Sequence, residues 1–270
     1  MKKVVNKNNK RKVIRKLPTI NIVIFFVLRL FVIVSMVEQS IRGNWNNVFL
    51  CIFTLILFTG PIIVKSKLHI ELPKTLEIII YLFIFSSAIL GEIQNFYGIF
   101  KHWDTLLHTL NGFLCAAVGF SLVDILNRRE DNDINMTPIF MVVVSISFSM
   151  TVGVLWEFIE FGVDTYLHKD MQKDRVVTTI NSKALGNTEE NELIKIEDID
   201  KTIIYYDNYK KQYMIDGYLD IGLIDTIKDL FVNFVGAVIF SLLGYLYVRD
   251  RDEFKFIERF IPFVKVLKEE

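Results

Sequence analysis

Long apolar runs alternate with short polar breaks along the chain, and that alternation predicts the architecture before any single residue does. A bilayer core about 30 Å thick takes roughly 20 mainly apolar residues per helix. Runs near that length occupy residues 20–37, 47–64, 75–90, 105–126, 138–163 and 221–248. They predict an all-α fold, a polytopic membrane bundle of six transmembrane helices, the fifth and sixth long enough to tilt or project beyond the hydrocarbon. Gly60 and Pro61 mark the expected end of the second run, Pro73 precedes the third and Pro138 starts the fifth. Proline suits the first turn of a helix and breaks its interior.

The polar breaks carry the orientation. Residues 1–19 hold eight Lys and Arg, from Lys2 to Lys16. Lys65, Lys67 and Lys74 follow the second run, Arg128 and Arg129 the fourth, and residues 249–270 hold six more Lys and Arg. The short connections between these hold only Arg42 and Lys101, and the long one at 164–220 carries many charges, as long loops cross largely regardless of charge. Lys and Arg concentrate in cytoplasmic loops, so both tails are expected inside, in a multi-pass protein of the cell (inner, cytoplasmic) membrane. The first run has no small-residue cleavage site after it and reads as an uncleaved span. The layout is thus a basic tail (1–19), five helices (20–163), an extracytoplasmic insert (164–220), a sixth helix (221–248) and a cytoplasmic tail (249–270). Within the insert, β-branched runs at 175–180 and 202–206, with Gly186 and Asn187 between them, predict short strands.

Composition agrees and narrows the partners. Hydrophobic residues make up 52% of the chain, far more than a soluble domain of this size needs. The 31 basic and 31 acidic residues cancel, so nucleic acid is not an expected partner, whereas membrane lipid is. The two cysteines, Cys51 and Cys115, sit in apolar runs and read as packing residues, with neither a disulfide framework nor a thiolate metal site in prospect.

The acidic residues change the picture most, because three groups of them fall where lipid should begin. Asp104, His108 and Asn111 share one face at the start of the fourth helix, since residues three and four apart align. Glu157, Glu160 and Asp164 repeat that spacing at the end of the fifth. Asp225, Asp229 and Asn233 form a stripe at the start of the sixth. With alternating spans, all three groups fall in the outer leaflet. An ionisable residue at mid-membrane costs about 3 kcal/mol to insert and ordinarily faces the bundle interior. Gly112, Gly153 and Gly236 lie beside the stripes and permit close helix approach. A single interior cluster is therefore expected.

Against six carboxylates the sequence offers few neighbouring cations: Lys101, Lys228 and Arg29 of the first span. Either several carboxyls carry protons or a cation binds among them. Asp104, His108, Glu157, Asp225 and Asp229 are the candidate ligands of a divalent metal, with oxygen and imidazole donors suiting zinc, manganese or magnesium. Glu157 and Glu160 are the candidate general bases. Glu92, at the outer end of the third helix, with Asn233 and Arg29, are candidates for supporting or ligand contacts. Simpler readings stand beside these: Asp104 as a helix N-cap, Asp164 as a solvated interfacial residue, and Arg29 in a structural ion pair.

The ordered set of Gly91, Glu92 and Ile93 with Asn95, Phe96 and Tyr97, then Trp103, Asp104 and His108, then Trp156, Glu157 and Glu160, and finally Gly222 to Thr226 with Asp229 resembles the YjdF-like family of uncharacterised bacterial inner-membrane proteins. The resemblance extends over the membrane portion and implies the fold without an activity. A looser similarity to VanZ-like membrane proteins implies a role at the cell envelope. Three functions are compatible with these residues. One is a metal-dependent hydrolase or transferase acting on a lipid or envelope substrate at the outer leaflet. The others are a proton- or cation-coupled transporter or ion-binding protein, and a non-catalytic envelope interaction protein whose insert docks a partner.

Overall fold

The structure is a computed structural model and describes residues 20–67, 70–127, 136–187 and 191–264. The basic tail before Ile20, Arg128 and Arg129, and the last six residues lie outside the described residues. Among the described residues, six helices are long and apolar enough to cross a membrane, as the hydropathy pattern predicts. They are α1 (Ile20–Ile41), a helix pair α2 (Trp45–Leu57) and α3 (Gly60–Lys67), α4 (Lys74–Phe85) continued by a π-helical segment (Ser86–Ile93), then, past the single turn α5 (Phe96–Ile99), α6 (Trp103–Asn127), α7 (Pro138–Leu167) and α8 (Leu223–Arg249).

Two expected helix ends move. Gly60 and Pro61 do not stop the second span: they open α3, which carries it on to Lys67. Pro61 sits in the first turn, where its missing N–H leaves no lost hydrogen bond. The third span also runs past residue 90, because its last turns widen into the π-helix, and Gly91 is needed there since any Cβ would strike the Tyr97 ring.

The spans pack as two groups of three. The first, α1, α2–α3 and α4, closes on Phe25, Leu28, Val32, Cys51, Phe58 and Tyr81. Phe25, Phe58 and Tyr81 form a ring trio with centroids 5.1–6.2 Å apart. In the second, α6, α7 and α8 close on Ala116, Ala117, Phe120, Met141, Ala237 and Phe240. Large side chains fill the first core, whereas small ones let backbones meet in the second. A Cβ on Gly112 would overlap the backbone of Asn233, and one on Gly236 that of Thr109, so each glycine admits the partner helix. Serines stitch this group together: Ser149 Oγ donates to Gly112 O (2.9 Å) and Ser145 Oγ to Ala116 O (2.8 Å), both on α6. The outer faces leave Phe26, Leu30, Phe31, Phe158, Phe161 and Phe231 exposed, which a lipid solvent explains.

Between α7 and α8 the described residues of the insert form three antiparallel strand pairs. β2 (Arg175–Val177) pairs with β7 (Tyr218–Asp220), β3 (Ile180–Ser182) with β4 (Ile194–Ile196), and β5 (Thr202–Tyr206) with β6 (Lys211–Ile215). The β2–β7 pair joins the insert's two stems directly over the ends of α7 and α8. A further pair, β1 (Ile70–Glu71) with β8 (Phe263–Val264), ties the connection after α3 to the chain beyond α8. Both cysteines are free thiols, Cys51 buried in the first core.

Candidate functional site

Alternation of the spans brings the start of α6, the end of α7 and the start of α8 to one end of the second group. There the helical spacing of Asp104 and His108 on α6, and of Asp225 and Asp229 on α8, turns all four toward a common interior. His108 Nε2 lies 3.5 Å from Asp104 Oδ1 and 3.8 Å from Asp229 Oδ2. One ligand atom from each of Asp104, His108 and Asp229 can be chosen so that all lie within 4.8 Å of one another. One turn deeper, Asn233 closes the floor. Its Oδ1 accepts from Asn111 Nδ2 (3.0 Å), and its own amide points at Ser149 O (3.4 Å).

Cations approach the same carboxylates from the opposite side. Lys173 Nζ is 3.3 Å from Asp104 Oδ2, and Lys228 Nζ is 3.4 Å from Asp229 Oδ1, 3.7 Å from Asp104 Oδ2 and 3.9 Å from Asp225 Oδ1. Arg175 holds Asp225 Oδ1 at 3.0 Å, and the Lys173 backbone N–H donates to Asp225 Oδ2 at 3.1 Å. The ammonium groups contact Asp104 Oδ2 and Asp229 Oδ1, while the imidazole faces Asp104 Oδ1 and Asp229 Oδ2. A cation between the imidazole and the two aspartates therefore does not require the lysines to leave.

Lys173 and Arg175 are the residues that the sequence reading missed. They lie in the insert, beyond the expected span, and reach the cluster because the chain after α7 turns back. Asp164 makes that turn. Its two oxygens accept the backbone N–H groups of Met171 (2.6 Å) and Gln172 (2.8 Å), a loop-holding role in place of simple solvation. Gln172 Nε2 then donates to Thr226 Oγ1 at 2.6 Å. The runs of three residues in β2 and β7 carry too weak a pattern to announce this return.

The two glutamates of α7 differ from the aspartates. Glu160 accepts from Trp156 Nε1 at 2.7 Å and lies within electrostatic range of Asp104 and Asp229. Glu157 is only 4% exposed, near Asp104 and Asp225, and its Oε2 accepts no hydrogen bond among the described residues. A buried carboxylate oxygen without a donor is costly, which marks the position as one with an unmet demand for positive charge or a proton. Glu92 stands at the rim, exposed, within electrostatic range of Lys173 and Asp104. Beside it Tyr97 presents its ring to Lys173 Nζ, 4.4 Å from the centroid. Burial holds the Tyr97 phenol above its ordinary value, and the carboxylates of Asp104, Glu92 and Glu160 push the same way against a lowering hydrogen bond from Ser87.

Two expected neighbours stand apart. Arg29 is half-buried on α1 with its guanidinium 5.7 Å from the Phe25 ring centroid, and Lys101 is exposed. Neither pairs with a carboxylate among the described residues. With the insert's contribution counted, the five carboxyl groups of Asp104, Asp225, Asp229, Glu157 and Glu160 face the three cations Lys173, Arg175 and Lys228, a formal excess of two acidic groups.

Comparison with known proteins places this arrangement in a group without an assigned chemistry. A curated but uncharacterised protein of Thermotoga maritima is 25% identical over 108 residues, which cover 40% of this chain. The match takes in 54% of that relative, so the chain spans about half the length of the curated relative it matches. No solved structure matches the chain. The family described as "Predicted membrane protein (DUF2238)" matches residues 20–250, all six spans and the insert, and the YjdF-like resemblance is consistent with it; this chain belongs to the DUF2238 family.

Proposed function

We propose that the cluster is a divalent-metal centre of a membrane-embedded hydrolase or transferase acting on an amphipathic envelope substrate. Asp104 Oδ1, His108 Nε2 and Asp229 Oδ2 are its ligands. The observation that carries this reading is the convergence of one ligand atom from each of these three residues within 4.8 Å, beside a buried glutamate whose Oε2 accepts no hydrogen bond among the described residues. The donor set of two carboxylates and one imidazole suits zinc or manganese, and the two-charge surplus equals the charge of one divalent ion. Such an ion supplies Lewis-acid polarisation of a substrate oxygen. The chain's own residues do the rest. Glu157 Oε2 accepts the proton of the attacking water or alcohol as its oxygen bonds to the substrate's electrophilic centre. The leaving oxygen departs with a proton delivered through Glu160. Asp225, held by Arg175 and the Lys173 N–H, fixes the stem of the insert over the site. The basic connections at the opposite end of the bundle support a cytoplasmic placement of both tails in the cell membrane and an extracytoplasmic cluster.

The test is metal content after gentle purification. The wild-type chain is expected to carry about one divalent ion per chain, and His108→Ala, which leaves two carboxylates, is expected to lose it, at a drop of about tenfold or more in affinity. Wild-type protein without metal overturns the reading. The same surplus is also met by two protons on Glu157 and Glu160, which favours a proton-coupled transporter as the second reading. It predicts substrate-dependent proton flux in proteoliposomes, abolished by Glu157→Gln.

A further inference from the structure

Between the two groups of helices lies an apolar cavity of about 450 Å³, walled by Ile79 and Phe83 of α4, Leu107, Leu110 and Phe113 of α6 and Ile239 of α8. It follows α6 from Trp103 to Phe113, about 15 Å at the rise of a helix. Both ends are built. At the outer end Trp103 bridges the groups, its Nε1 donating to Ser86 O at 3.3 Å. At the inner end the Phe113 ring is held edge-on by Phe240 and Phe260, with centroids 5.0 and 5.4 Å away. Thr109, in the wall, turns its hydroxyl onto its own helix, donating to Thr105 O at 2.7 Å. One side stays open, where Leu82, Leu106 and Ile239 are about half exposed.

We propose that this slot takes one acyl chain of a membrane lipid, its terminal methyl toward Phe113 and its ester end at Trp103, and that the lipid so placed is the substrate of the neighbouring cluster. The walls select the occupant. An apolar cavity offers water no partners and stays dry, and a void left between packed side chains is costly. The medium on the open side is hydrocarbon, so a chain enters laterally without crossing a polar barrier. The two ends select the direction. Aromatic rings close the inner end against a headgroup, whereas Trp103 and Leu107 at the outer end are the sequence neighbours of Asp104 and His108. A seated chain therefore carries its ester end to the first turns of α6, where the polar residues begin. As a substrate site the slot rests on the reading of that cluster as a reaction centre; as a lipid site it stands on its own walls.

The full chain is reconstituted, with chelator present, into phosphatidylcholine nanodiscs containing a trace of phosphatidylcholine that carries a diazirine in one acyl chain. The diazirine is placed either at the terminal carbon or next to the ester. After photolysis, peptide mass spectrometry maps the labelled residues. The terminal probe is expected to label Phe113 and Ile79, and the ester-proximal probe to label Trp103 and Leu107 instead. Leu110→Trp fills the slot without changing charge and should cut the labelling of Phe113 by about tenfold, the effect of overpacking an occupied apolar space. Ile79→Trp fills it from the opposite wall and covers the case in which the first variant does not fold, with unchanged labelling of the lipid-facing Phe158 as the control for both. No label on Phe113 in the wild-type chain, equal labelling of Phe113 by the two probes, or labelling that a folded slot-filled variant does not lower overturns the proposal. Chelation keeps this outcome separate from the metal test: failed labelling removes the slot and leaves the metal reading standing, whereas wild-type protein without metal removes the reaction centre and leaves the lipid in its slot.

Discussion

The two groups of three helices each bury a carboxylate, and they treat it in opposite ways. Glu77, in α4 of the first group, is 6% exposed and has three donors: Asn21 Nδ2 at 2.6 Å, Lys65 Nζ at 2.9 Å and Tyr81 OH at 3.2 Å. Glu157, in α7 of the second, is 4% exposed, and its Oε2 has none among the described residues. Burial is therefore not what distinguishes a candidate site. A satisfied carboxylate pins helices together, whereas one with an unsatisfied oxygen near Asp104 and Asp225 leaves a demand that a ligand or a proton must meet. The cores differ in the same sense. Rings lock the first group, while glycine and serine bring the second group's backbones close around its polar end.

The largest effect should come from the glycine contact. Gly236→Val places side-chain carbon against the backbone of Thr109, and about 4 kcal/mol or more of destabilisation is expected, seen as loss of folded protein by size exclusion in mild detergent. In the ring-filled core, Phe58→Leu should cost only about 1–2 kcal/mol by the same assay, since large apolar side chains can repack. Equal losses would erase the distinction between the cores. Next come the two glutamates. Glu77→Leu strands the Asn21, Lys65 and Tyr81 donors and should destabilise by about 3 kcal/mol in denaturant unfolding. Glu157→Leu removes a carboxylate with one oxygen that has no donor and should cost clearly less than Glu77→Leu while abolishing activity. A Glu157→Leu protein as unstable as Glu77→Leu would make both carboxylates structural.

The smallest effect concerns the insert. Partial burial raises the Asp174 carboxyl above its ordinary value, and the neighbouring carboxylates of Asp170, Asp164 and Asp220 add to it. A carboxyl whose folded value is raised disfavours the folded state at every pH where it is ionised, and that penalty disappears as pH falls through the raised value. Asp174→Asn should therefore raise thermal stability slightly at neutral pH and leave it unchanged in acid. A destabilising effect at neutral pH would show that Asp174 makes a contact that favours its charge.

The spans were legible because hydropathy over about 20 residues is a strong signal, and the convergence of α6, α7 and α8 followed from helical spacing with alternation. Asp104, His108, Asp225, Asp229 and Glu157 come to one end of the bundle for that reason. Of the three cations at the cluster, Lys228 was legible and the other two were not. Lys173 and Arg175 act through a return of the chain fixed by Asp164 and by a strand pair of three residues a side, and such contacts between distant short segments leave no local period. Nor could spacing show that Arg29 belongs to the other group of helices, since which spans pack together depends on tertiary fit. The π-helical end of the third span and the continuation of the second through Pro61 were likewise set by packing.

The central claim is that Asp104, His108 and Asp229 bind one divalent ion, and anomalous scattering from crystals of the chain grown with manganese tests it most directly. A single strong peak is expected at this end of the second group, about 2.0–2.3 Å from Asp104 Oδ1, His108 Nε2 and Asp229 Oδ2, with Lys173 and Lys228 still on the other two oxygens. No peak there in crystals that take up manganese elsewhere, or none at all at saturating manganese, would contradict it.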